Sequence, residues 1–416
     1  MSLLKRKMST FEKMFWIMLV FGLLGRFLVT PYGVYANDMK YWVDWGQTLV
    51  NENFSQYFML GWTDRLPGGI LYVLWLLAGL QKVFVGLSNE FIFKLPANIS
   101  DAVLAFLIFR FVGKKWGEEK GFLAFLLFFF NPFVWHVSAL WGQMDSVQAL
   151  LMLLVIFALF RNWYGVSIAL LVFAAQFKPH SILLAPIVFI YLWQTREGWR
   201  DFGQKIGAAV LVFLGVWWIL SVPFLPNTAE YSGDAQKIIG PFKLGWQQWV
   251  VARDIYPYAS ANAFNFWGAM RQSWKTDMST WAGIKYGDWG LIMFALTGTA
   301  ILWQLLRKKG KPHLDNYFYT TALLSLLAFT FLTRVHERHI FPFFLFYLLV
   351  IWQRPYRIIS YALITLIMVA NTIFAYGWAT GRPWLEPNGA GMTFLSLLLL
   401  GVVLFQLFWV RLSGSE

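Results

Sequence analysis

The chain has no cysteine, which excludes disulfides and thiol chemistry and says nothing about redox compartment. Charge is scarce too: 13% of the 416 residues are Asp, Glu, Lys or Arg, against 58% hydrophobic and 20% aromatic. That balance excludes a soluble domain and implies a polytopic membrane protein. No Pro- or Ser-rich linker and no low-complexity tract divides the apolar runs, so the expectation is one domain, residues 1–416. Acids are the scarcer charges, 21 against 34 Lys and Arg. If Lys5-Arg6-Lys7, Lys114-Lys115, Arg307-Lys308-Lys309 and Arg354/Arg357 lie on the cytoplasmic side, the net charge of +13 is topology. Nucleic-acid binding is then not needed to explain it.

Several motifs are absent as well. Without Asp-x-Asp there is no usual diphosphate–metal clamp, and without a P-loop or Gly-x-Gly-x-x-Gly there is no nucleotide cradle. His336-Glu337-Arg338-His339 has i, i+3 spacing and not the His-Glu-x-x-His arrangement of zinc proteases. Neither a metal nor a cofactor is expected.

What is present is a series of apolar segments near 11–29, 67–85, 91–112, 121–137, 145–160, 163–177, 179–194, 206–222, 286–306, 317–332, 339–353, 357–376 and 392–410. The charge pattern suits twelve crossings if 67–85, which opens with Pro67-Gly68-Gly69, is re-entrant. The expectation is therefore an all-α bundle of about 12–13 transmembrane helices. Arg26, Pro31 and an overlong apolar region argue that the first helix is retained and not cleaved as a signal peptide.

Two segments are long and fall outside, 30–66 and 223–285, and both are expected to hold interfacial helices. In "ANDMKYWVDW" (36–45), Asp38, Tyr41, Trp42 and Trp45 have helical spacing, so this helix should lie on the membrane with Asp38 facing the outer leaflet. Asp38 would otherwise be an N-cap, and Asp44 reads as a surface acid. Polar groups gathered on one face suit interfacial chemistry. Transport needs them at mid-membrane, which only Asn98, Asp101 and Lys178 suit.

A set of stretches then agrees in order: Asp38 with Trp45, "NPFVWHVSALWGQMDS" (131–146), "QFKPHSILLAPI" (176–187), "SANAFNFW" (260–267) and "RVHERHIFP" (334–342). Together they resemble the GT-C superfamily of integral-membrane glycosyltransferases, in particular prokaryotic relatives of the GPI-anchor mannosyltransferases and the glucosyltransferases of the dolichol-linked oligosaccharide. Two departures are "TDRLPGG" (63–69), with one proline where relatives often pair two, and His339, where tyrosine is frequent.

The resemblance implies metal-independent, inverting transfer of a hexose, with mannose ranked first, from a polyprenyl-phosphate donor to a hydroxyl of a glycolipid, glycan or protein. It implies Asp38 as base, and Lys178, His336, Arg338 and His339 on the donor phosphate. Gln143, Asp145, Asn262, Asn265, Trp267, Asp64, Arg65 and Glu337 would bind substrate. The plainer readings are a Glu337–Arg338 surface pair, a snorkelling Lys178, a capping Asp145 and a tryptophan belt. The expected setting is a monomer in the cytoplasmic membrane with an outward-facing site, or the endoplasmic reticulum membrane in a eukaryote. A lipid-linked-sugar flippase or secondary transporter is the rival. A relative that only scaffolds partner proteins ranks third.

Overall fold

A computed structural model describes residues 8–33, 35–60, 66–308 and 310–412. The first helix, Thr10–Val29, starts at a capping box in which Ser9 and Glu12 satisfy each other's backbone amides. Helices follow almost without interruption. Among the described residues the only sheet is a hairpin pairing Thr280–Trp281 with Ile284–Lys285. Its turn residues, Ala282 and Gly283, both take positive φ, which matches the twist of a two-residue hairpin. The protein is an all-α polytopic membrane protein.

The apolar segments fall where the sequence places them, but fewer qualify as crossings than the expected twelve or thirteen. Five described helices are long and apolar enough to span: Asn89–Trp116, Trp199–Phe224, Tyr286–Leu306, Pro355–Ala379 and Ala390–Trp409. Glu118–Phe129 with Pro132–Trp141, bent by 43°, makes a sixth if the pair is one span. Gly68–Val83 and Asp145–Phe160 have 16 residues each, or about 24 Å of helix against a hydrocarbon layer of about 30 Å. Segment 179–194 divides into a 3-10 turn, Pro179–Leu184, and the helix Ala185–Gln194. Apolar runs look alike whether lipid or protein surrounds them, so length and composition pick out fewer candidates than the runs themselves.

Two breaks position the functional region. Glu118–Phe129 stops before Asn131-Pro132, where proline has no N–H to continue the ladder and the Asn131 side chain accepts from the Phe133 amide instead. The chain then runs into a π-helical turn, His136–Trp141, which Gly142 ends at φ +84°. The helix Ala36–Asn51 is amphipathic as expected, yet protein covers its apolar side. Met39, Trp42, Val43, Trp45 and Leu49 pack with Ile70, Leu71 and Leu74 of Gly68–Val83. A Cβ at Gly46 would lie 2.7 Å from the Leu74 carbonyl oxygen, so the two backbones touch there.

Charge is also buried in the bundle. Arg26 and Asp101 are fully enclosed and paired at 2.6 Å, with Arg26 also donating to Asn98 and to the Phe129 carbonyl exposed by the helix break. Of the groups that suited transport, Asn98 and Asp101 are thus closed around one arginine.

Candidate functional site

Four helix ends and one turn meet to form a polar cluster. Asp38 comes from the first turn of Ala36–Asn51, whose N-cap is Tyr35, so the carboxylate is not the cap. Its Oδ2 accepts from Gln143 Nε2 at 2.8 Å and from Trp141 Nε1 at 3.1 Å. Both donors sit at the π-turn's end, where Gly142 reverses the chain so that residues on either side of it face Asp38. The Arg338 guanidinium lies 5.7 Å from the Trp141 ring and links this group to the next.

That second group is an ion network. Lys178 Nζ donates to Asp145 Oδ1 at 2.6 Å, and Arg338 Nη1 donates to Glu337 Oε1 at 2.9 Å. Arg338 Nε stands 3.9 Å from Asp145 Oδ2, too far for a hydrogen bond, and both atoms are buried without partners. Asp145 is the first residue of its helix behind the N-cap Met144, so it is spent on Lys178 and not on capping. Two cations and two carboxylates balance, which makes this a compensated network and not a bare anion trap. A ligand would bind by completing the hydrogen bonds left open at Arg338 and Asp145.

Histidines form the third side. His180 and His339 rings lie 4.7 Å apart, His339 and His336 5.3 Å, and His336 meets Tyr256 edge-on at 4.7 Å. Burial first, then Arg338 and Lys178, holds His336 well below the usual imidazole range. Burial first, then the neighbouring histidines and cations, does the same to His339. Burial raises Glu337. The His336 amide donates to His339 Nδ1 at 3.4 Å, so a neutral His339 carries its proton on Nε2. Both imidazoles can therefore offer a hydrogen bond but no charge.

The turn that carries these groups is anchored from the second long loop. Arg334, at φ +63°, pairs with Asp277 at 2.6 Å and with Asp254. Ala261 and Asn262 bridge to His336 in strand-like pairs. Asn262 takes φ +65°, accepts from Trp274 Nε1 through its side chain and from Asn371 Nδ2 through its carbonyl. Asn265 caps the short helix Phe266–Ala269 by accepting from the Trp267 and Gly268 amides. Trp267 is buried and donates to the Phe331 carbonyl at 2.9 Å. These three residues build the loop that holds His336, and their polar atoms are used inside the protein.

Of the residues singled out in the sequence, the structure therefore brings together Asp38, Gln143, Asp145, Lys178, His336, Glu337, Arg338 and His339. Asp64 and Arg65 lie outside the described residues. Trp141 and His180 were not singled out. Trp141 stood inside the quoted "WGQMDS" stretch, and His180 two residues after Lys178, so the signal was adjacency to residues already chosen.

Residues 46–235 match the family described as GPI transamidase subunit PIG-U, a multi-pass membrane protein family. The match covers 190 of the 416 residues. It contains Gln143, Asp145, Lys178 and His180 and leaves out Asp38, His336 and Arg338. No curated protein matches the chain. The match overturns the expected activity, because the family it names is a subunit of a transamidase and neither a polyprenyl-phosphate hexosyltransferase nor a flippase. The GT-C resemblance is not confirmed. "WGQMDS" and "QFKPHS" both fall within the matched segment, so these stretches do not by themselves mark sugar transfer. The reading ranked third, a relative working alongside partner proteins, stands nearest to the finding.

Proposed function

We propose that the chain is a membrane subunit that holds the headgroup of a phosphorylated glycolipid for a partner enzyme that joins such lipids to protein. The family match supports the subunit role, since it names a transamidase component. The site's chemistry supports the ligand: Asp38, Gln143 and Trp141 offer a hydrogen-bonding set suited to sugar hydroxyls, and Arg338 offers an unsatisfied Nε–H suited to phosphate. One observation carries the reading: a partly exposed ion network, with Arg338 Nε and Asp145 Oδ2 open, stands beside a sugar-compatible carboxylate.

Asp38 in this role accepts hydrogen bonds and takes no proton. Under this reading the partners are protein subunits and the bilayer, and the membrane is the one that houses the partner enzyme. The test is binding of a phosphorylated mannosyl glycolipid to the protein in nanodiscs, followed by native mass spectrometry. The reading expects the phosphorylated lipid to bind and its dephosphorylated form to bind more weakly. Equal retention of both forms, or of neither, contradicts it.

A further inference from the structure

Lys94 lies in the interior of Asn89–Trp116 and is completely buried, with no carboxylate within hydrogen-bond range among the described residues. Its ammonium donates to three main-chain carbonyls: Thr30 at 2.6 Å, Tyr32 at 3.0 Å and Leu140 at 2.6 Å. An ammonium has three N–H donors, so every one is engaged. Enclosed charge is costly, and a carbonyl clamp made by a neutral side chain would avoid that cost. A neutral amide, however, has only two donors and cannot reach three carbonyls from one atom.

The three carbonyls come from two segments, which also approach each other where Gly33 lies against Leu140. Thr30 and Tyr32 lie on the strap between the first helix and Asp38. Leu140 immediately precedes Trp141, which with Gln143 holds the Asp38 carboxylate. Gly142 makes the arrangement possible, since a Cβ there would stand 2.7 Å from Lys94 Cγ and 3.1 Å from its Cε. The lysine stem thus passes through the gap left by the missing side chain.

We infer that Lys94 is the positioning residue of the site: by tying the strap of residues 30–32 to the π-turn at Leu140, it sets where Asp38 stands relative to Trp141 and Gln143. It touches no ligand. The inference rests on the glycolipid-holding reading for its consequence, but the tie itself is a separate claim with its own readout.

The test uses the full chain in nanodiscs, with hydrogen–deuterium exchange followed for peptides covering 30–44 and 137–144. Lys94→Met should raise exchange in both segments together and weaken binding of the phosphorylated mannosyl glycolipid by about tenfold or more. Gly142→Ala, which pushes on the lysine from the other side, should reproduce the pattern in a milder form. Phe125→Ala, in the core away from the site, supplies a variant of lowered thermal stability in which neither segment should loosen. Unchanged exchange in both Lys94→Met and Gly142→Ala, or equal loosening in Phe125→Ala, overturns the inference. If the segments loosen as expected while the wild-type protein ignores the glycolipid, the tie stands and the functional reading fails.

Discussion

The buried charges of this protein fall into two systems of similar chemistry and opposite finish. Around Arg26 and Asp101 both side chains are fully enclosed; Asn98 and the Phe129 carbonyl also accept from the arginine, while Arg26 Nε and Asp101 Oδ1 stay without partners. Around Arg338 and Asp145 the pair stops at 3.9 Å, Lys178 is 15% exposed and Arg338 17% exposed. The first system holds helices together across a break. Both leave a buried donor and acceptor open, but only the second has cations partly exposed, which is what separates a clamp from a site.

Substitutions should separate the two systems. Asp101→Asn leaves Arg26 buried without its counter-charge and should cost about 3–5 kcal/mol in unfolding experiments, with little change in glycolipid binding by the surviving folded protein. Arg338→Gln should lower binding by roughly 10- to 100-fold in the folded protein, because charge-assisted hydrogen bonds are lost, and should also lower the melting temperature, because Glu337 is left buried without its partner. Asp38→Asn keeps the shape but weakens the acceptor, so titration with the same lipid should show a loss of about tenfold. Asn265→Ala removes a helix cap and should lower stability by about 1 kcal/mol without altering affinity. If it alters affinity first, the loop residues belong to the site after all.

The smallest expected effect is a pH slope. Burial lowers His336 and His339 from their usual 6.5, so the unfolded chain takes up protons before the native one does. Their contribution to stability is complete above about pH 6.5 and is lost as pH falls below it. Glu337, raised by burial, acts with the opposite sign, and its contribution to stability is lost as pH rises through its own range. Unfolding followed between neutral and mildly acidic pH should therefore show a flatter acid slope in His339→Gln. An unchanged slope would place the charge uptake elsewhere.

Much of the fold was legible because apolar periodicity and its breakers are local signals. Tyr286–Leu306 and Asp145–Phe160 fall where the sequence placed them. What the periodicity could not distinguish was a helix facing lipid from one facing protein, as in Ala36–Asn51 against Gly68–Val83. The site was legible as a list of polar residues near helix ends. Its division into working and supporting members was not, because Asn265 as a cap and Asn262 as a left-handed turn residue depend on contacts with Phe329 and Asn371, far away in the chain. Lys94 gave no sign of its role, since a lysine in an apolar run looks like one snorkelling to the surface. The activity was misjudged for a related reason: the shared stretches describe a scaffold, and a scaffold does not fix its chemistry.

The most direct measurement is the affinity of the nanodisc-embedded protein for a phosphorylated mannosyl glycolipid, compared among wild type, Asp38→Asn, Arg338→Gln and Asp101→Asn. The account predicts binding that depends on the phosphate, that drops in the first two variants and that survives in the third once folded. Binding indifferent to residues 38 and 338, or lost only in proportion to stability, would contradict it.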